Sequence, residues 1–196
     1  MRGREGGIEH ASEHASEEAS EQASEQLTSA DYSASEKPRP GARQVRKFWT
    51  VVWIGLVAGT LDITENIVFN HFRGVTMKMI FQYIASGLIG MKSFSLGGES
   101  VALGVAIHYA IALTWTVVFY LLSRKLLILT RQAAICGIIY GGVVYVIMNF
   151  VVLPLTAVPH APRAMTLASR VSGVLALLLC IGLTISLLMR EYAPPE

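Results

Sequence analysis

Acidic residues are scarce in most of this chain. From Lys37 to Glu196 there are 5, against 14 basic residues, whereas residues 1–30 carry 7 glutamates and 2 arginines. An excess of basic residues is typical of loops that lie against anionic lipid. The charge therefore indicates a membrane surface and requires no nucleic-acid partner.

Cysteine is equally rare. The chain has 2 cysteines in 196 residues, Cys136 and Cys180, and both fall within apolar runs. This small number excludes a disulfide framework and favours cysteines that act as small packing residues.

Catalytic motifs are also missing. The sequence contains no H-E-x-x-H, no G-x-S-x-G and no phosphate-binding loop, three residue patterns that often carry hydrolysis or nucleotide chemistry. We therefore predict that the protein is not an enzyme and that it has no cofactor and no metal site.

The N-terminal region, 1–42, is a low-complexity segment. Residues 11–26 read ASEH-ASEE-ASEQ-ASEQ, and ASEK follows at 34–37. A period of four places like charges on one helix face, where they repel, and leaves no apolar face to bury. This composition predicts a disordered acidic and polar tail.

Long apolar runs dominate the rest, 43–192. Four segments of 22 or 23 residues are mostly apolar: 48–70, 101–123, 133–155 and 168–189. A helix needs about 20 residues to cross the hydrocarbon core of a bilayer. The sequence therefore predicts an all-α, polytopic membrane helix bundle with four transmembrane helices.

A fifth apolar segment, 75–91, is shorter and more polar. Lys78, Gln82 and Ser86 recur in it at intervals of four, a pattern that suits an amphipathic helix at the interface or a re-entrant helix packed against protein. A true fifth span is the alternative.

Basic residues predict the orientation of the spans. Arg43, Arg46 and Lys47 precede the first span, and Arg124, Lys125 and Arg131 lie between the second and third. Such groups concentrate on the cytoplasmic side. With four spans, both termini are then cytoplasmic.

Polar residues interrupt three of the spans. Helix rise places Asp62, His108 and Asn149 about 9–12 Å from the same outer surface, with Glu65 one turn nearer to it. Ionisable groups at such depth usually face a bundle interior or water. These four residues form a candidate polar cluster, either as functional groups or as polar contacts that hold helices in register.

Glycines on the same faces predict close helix packing. Gly55 and Gly59 share a face with Asp62, Gly104 lies one turn before His108, and Gly137 and Gly141 precede Asn149. G-x-x-x-G spacing lets helix backbones approach each other closely.

The segments GLVAGTLDI, FQYIASGLIG, GGESVALGVAIHYAIAL and YGGVVYVIMNFVVLPLTAVP resemble a group of small bacterial inner-membrane proteins, the YagU-like group. The similarity covers about residues 50–160. It implies a bacterial inner-membrane location and supplies no reaction. It also implies a set of positions that occur together in members of that group. These positions correspond here to Asp62, Ala85–Gly90, His108 and Met148–Leu155.

Three function classes stay open at this point. The first is a structural or accessory membrane protein with buried polar contacts between helices. The second is a small proton-coupled transporter or channel-like protein that uses Asp62 and His108 and forms a homo-oligomer. The third is a membrane-embedded enzyme built on Asp62, Glu65 and His108. The lipid bilayer is the partner common to all three.

Overall fold

A computed structural model describes residues 20–26, 40–158 and 166–192. The chain divides into two units, Met1–Val45 and Arg46–Glu196. In the first unit, residues 20–26 are helical with exposed side chains, and a second helix begins at Pro40, where the fixed φ of proline suits a helix start. The rest of the predicted 1–42 tail lies outside the described residues, and its disorder stays a prediction.

Four long helices form the membrane part of the chain, and we call them the first, second, third and last span. They are Gln44–His71, Gly98–Lys125, Ala133–Leu155 and Leu167–Tyr192. At 1.5 Å per residue each is about 35–42 Å long, which is enough to cross an apolar core of about 30 Å. The described residues contain no strand. The predicted four-span helical membrane bundle is confirmed.

Most spans extend beyond their predicted limits. The helix of the first span runs from Pro40, that of the second span from Gly98, and the last span from Leu167 to Tyr192. Apolar composition marks only the part of a helix that crosses the hydrocarbon, and polar residues continue the helix into the headgroup region. The third span keeps its predicted bounds, Ala133–Leu155.

A short helix, Met77–Ile89, follows the first span. The Thr76 hydroxyl caps it by accepting from the Met79 backbone N–H, and Gly90 ends it with a φ of 62°, a left-handed conformation that favours glycine. Its 13 residues extend only about 20 Å, too short for the alternative of a fifth span. The helix is also shorter than the predicted 75–91, because a 3-10 turn takes over at Gly90–Phe94.

The short helix contacts the second span and the segment that follows the third span. A Cβ on Gly104 would overlap the carbonyl oxygen of Phe81, so the short helix touches the second span backbone to backbone. The buried Gln82 amide lies 3.2 Å from the carbonyl oxygen of Ser93. Beyond the third span, the Ala157 N–H donates to the carbonyl of Gly87 at 3.0 Å. The short helix therefore lies where the first and third spans end and the second begins.

The third and last spans meet along a glycine seam. A Cβ on Gly182 would overlap the carbonyl oxygen of Gly137 and lie 2.7 Å from the nitrogen of Gly141. A Cβ on Gly141 would in turn overlap the carbonyl oxygen of Leu177. These contacts leave no room for side chains between the two helices, which accords with the small-residue rule for membrane helices.

The main apolar core draws on all four spans. Ile54 and Ala58 come from the first, Phe119 from the second, Val144 from the third and Ile185 from the last, and all five are fully buried. A smaller cluster joins Ile63 to the short helix. Asp62 directly precedes Ile63 in the first span, and Glu65 follows Ile63 by two residues.

Candidate functional site

Close packing of the first and second spans creates the site. A Cβ on Gly55 would lie 2.7 Å from the Leu113 Cδ2, and a Cβ on Gly59 would lie 2.9 Å from the Cβ of Ala112. Both contacts are tighter than side chains normally allow. The glycines therefore bring the backbone of the first span within reach of side chains on the second.

His108 uses this proximity to contact the first span directly. Its Nε2 lies 2.8 Å from the carbonyl oxygen of Gly59. A carbonyl oxygen can only accept, so Nε2 carries the proton of this hydrogen bond. The hydrogen bond also fixes the ring orientation and leaves Nδ1 as the second reactive nitrogen.

Asp62 lies close to this imidazole. It follows Gly59 by three residues, is half-buried, and interacts electrostatically with both His108 and Glu65. Within the described part of the chain it accepts no hydrogen bond. Asp62 is thus a carboxylate within electrostatic range of a histidine, and it makes no hydrogen bond to any residue that the structure describes.

Glu65 has a different environment. The Ser172 hydroxyl, on the last span, donates to its Oε1 at 2.5 Å. Both residues are half-buried. The sequence predicts that Glu65 lies one turn nearer the outer surface than Asp62, and it does not predict this contact with the last span. One serine in a run of apolar residues carries no signal that it faces a carboxylate.

The last span also brings Cys180 toward the two acids. Cys180 is half-buried and lies within electrostatic range of Asp62 and Glu65. It belongs to a π-helical stretch, Leu177–Leu183. Such wider turns are frequent at functional sites because they displace side chains from the regular helix face.

Asn149 is held within its own helix. It lies in a second π-helical stretch, Met148–Val152, and its side-chain amide donates to the Tyr145 carbonyl at 3.0 Å. No contact from Asn149 to Asp62, Glu65 or His108 occurs among the described residues. The structure thus brings together three of the four predicted polar residues, which we call the carboxylate–histidine cluster: Asp62, Glu65 and His108.

The cluster has members on the first and second spans and contacts the last span through Ser172, and its chemistry is that of two carboxylates and an imidazole. Over residues 20–26, 40–158 and 166–192, no group of three or more histidine, cysteine or acidic residues could hold a metal ion. Two carboxylates and an imidazole can bind protons and form hydrogen bonds.

Comparison with known proteins adds no assignment. Protein-family models, curated proteins and solved structures all give no match to this sequence. Its four long apolar helices fit an integral membrane protein. The carboxylate–histidine cluster is the feature of these helices that bears on function.

Proposed function

We propose that this protein has a structural or accessory role in the membrane, with polar side chains holding its spans together. The observation that carries the proposal is that two residues of the cluster are engaged in contacts between helices. Glu65 accepts from Ser172 of the last span, and His108 of the second span donates to the Gly59 carbonyl. Contacts of this kind in membrane proteins contribute about 0.6–1.7 kcal/mol each.

Matched substitutions at His108 test this proposal. His108→Gln retains an N–H donor and should unfold in detergent close to wild type, whereas His108→Leu removes the donor and should lower the free energy of unfolding by about 0.5–2 kcal/mol. Asp62→Asn should be neutral, because Asp62 makes no hydrogen bond that the amide would lose. Equal stability of His108→Leu and wild type would contradict a structural role for the imidazole.

Proton-coupled transport is the second candidate, and one observation favours it. Asp62 is the member of the cluster that takes part in no helix-to-helix hydrogen bond, yet it lies beside His108. A carboxylate and an imidazole side by side can exchange a proton. In this case a four-helix chain would act as a homo-oligomer.

Proteoliposomes distinguish the two candidates. Transport predicts a proton leak above that of empty liposomes, abolished by Asp62→Asn with an unchanged folded yield. The accessory role predicts that wild type and Asp62→Asn both match empty liposomes. A leak that persists in Asp62→Asn would remove Asp62 from the pathway.

The location and the orientation of the protein in the membrane are part of the same proposal. The resemblance to the YagU-like group favours the inner membrane of a bacterium, and the basic residues beside the first span and between the second and third favour cytoplasmic termini. The carboxylate–histidine cluster would then lie in the outer half of the bilayer.

A further inference from the structure

A groove runs between the first and last spans, and we call it the lateral groove. Its polar members are Glu65 and Ser172, and its apolar members are Phe69, Leu167, Ala168, Val171 and Leu175. Glu65 lies six residues before His71 and Ser172 lies five residues after Leu167. The polar pair of the groove therefore lies about 8–9 Å inside the ends of the two helices.

The walls of the lateral groove are open to the side. Leu167 is 78% exposed, and Val171 and Leu175 are each 49% exposed. In a spanning helix such side chains face hydrocarbon rather than water. An apolar molecule can thus enter the groove from within the bilayer, without passing through an aqueous pore.

The charge in the lateral groove is negative. Among the described residues that line the groove, Glu65 is the ionisable one and none is basic. The Ser172 hydroxyl donates a hydrogen bond but leaves the charge of the carboxylate unbalanced. Asp62, in electrostatic contact with Glu65, adds a second acid behind it. A charge in this environment is costly unless a counter-ion accompanies it.

Arg73 does not supply that counter-ion. Its guanidinium lies over the Phe69 ring, 5.5 Å from the centroid, and donates to the Ser169 hydroxyl. It follows Glu65 by eight residues and lies in the turn after the helix ends at His71. Arg73 therefore contacts the rim of the groove, and among the described residues it forms no ion pair with Glu65.

We propose that the lateral groove binds a lipophilic cation, with the positive centre against Glu65 and the apolar body along Phe69, Val171 and Leu175. A phospholipid acyl chain fits the walls equally well but offers nothing to the carboxylate. An anionic amphiphile would be repelled by Glu65 and Asp62. This ligand class goes beyond either proposed function and depends on neither.

Two probes of matched shape and opposite charge test the proposal. Equilibrium dialysis would measure binding of tetraphenylphosphonium and tetraphenylborate to the full chain in nanodiscs, with empty nanodiscs subtracted. We expect saturable binding of the cation to the protein, and binding of the anion no greater than to empty nanodiscs. Equal binding of both ions, or no saturable cation binding, would overturn the proposal.

Two substitutions locate the binding. Glu65→Gln keeps an oxygen acceptor for Ser172 and removes the charge, so cation affinity should fall at least about tenfold. Glu99→Gln, at an exposed acid in the first turn of the second span, should bind as wild type. Wild-type affinity in a monodisperse Glu65→Gln would also overturn the proposal.

A bulky substitution tests whether cation binding requires the space of the groove as well as the charge of Glu65. Ala168→Trp fills the lateral groove and should abolish cation binding, whereas Val143→Trp adds the same bulk to an exposed position of the third span and should not. If Ala168→Trp instead dissociates an oligomer while wild type binds no cation, the groove is a contact between two copies and the proposal fails.

Discussion

The Nε2 of His108 lies 2.8 Å from the carbonyl oxygen of Gly59, a backbone atom of a different span. This contact exists because no side chain at Gly59 separates the two helices. The close packing of the two spans at Gly59 is therefore what allows the His108 imidazole to reach the backbone of the first span.

A methyl group at Gly59 should disturb both. In Gly59→Ala the new Cβ would lie 2.9 Å from the Cβ of Ala112, and the spans must separate by a few tenths of an ångström. We expect a loss of about 1–3 kcal/mol in the free energy of unfolding in detergent. Gly142→Ala is the matched control, since nothing lies within 4 Å of its Cβ position. A neutral Gly59→Ala would show that the spans are not packed here.

The Glu65–Ser172 hydrogen bond predicts energetic coupling. In a double-mutant cycle of Glu65→Leu and Ser172→Ala, unfolding in detergent should give a coupling of about 1 kcal/mol. Glu65→Gln should largely retain that coupling, because the amide oxygen still accepts from Ser172. Strict additivity would mean that the two side chains do not meet in the membrane.

The contact between the short helix and the segment after the third span predicts that a pair of introduced cysteines can form a disulfide there. A Cβ on Gly87 would lie 3.7 Å from the Cβ of Thr156, within the range that disulfides require. In a background lacking Cys136 and Cys180, Gly87→Cys with Thr156→Cys should oxidise readily and migrate faster on a non-reducing gel. Each single cysteine variant is the control. If the pair stays reduced under mild oxidant, the short helix is not docked on this segment.

The four-span arrangement predicts which loops share a side. Lys92 precedes the second span and Arg131 follows it, and both side chains are exposed. In the same cysteine-free background, an impermeant maleimide added to intact cells should label Lys92→Cys and not Arg131→Cys. Permeabilised cells should label both. Labelling of the two from one side would overturn the topology.

The sequence was sufficient to predict the spans because bilayer thickness fixes the length of an apolar helix. It was also sufficient to place Gly55 and Gly59 on one face with Asp62, since helical periodicity determines that face. It could not show what each glycine touches. Gly104 contacts the short helix instead of another span, because a missing side chain permits close approach without selecting a partner.

The polar partners were harder to predict for a related reason. Ser172 is one hydroxyl in an apolar helix, and the rotation of that helix decides whether it faces Glu65 or lipid. The π-helical stretches at Met148–Val152 and Leu177–Leu183 shift that rotation locally. Asn149 lies in one of them and donates to the Tyr145 carbonyl of its own helix, an arrangement that its depth in the bilayer does not predict.

The glycine seam of the third and last spans has a consequence for biosynthesis. Gly141 and Gly182 are 41 residues apart, so at roughly 5–20 residues per second the ribosome needs about 2–8 s to make the partner after the first glycine. During that interval the narrow strip at Gly137 and Gly141 faces lipid alone. The glycine strip of the third span therefore lacks its packing partner until the last span is inserted.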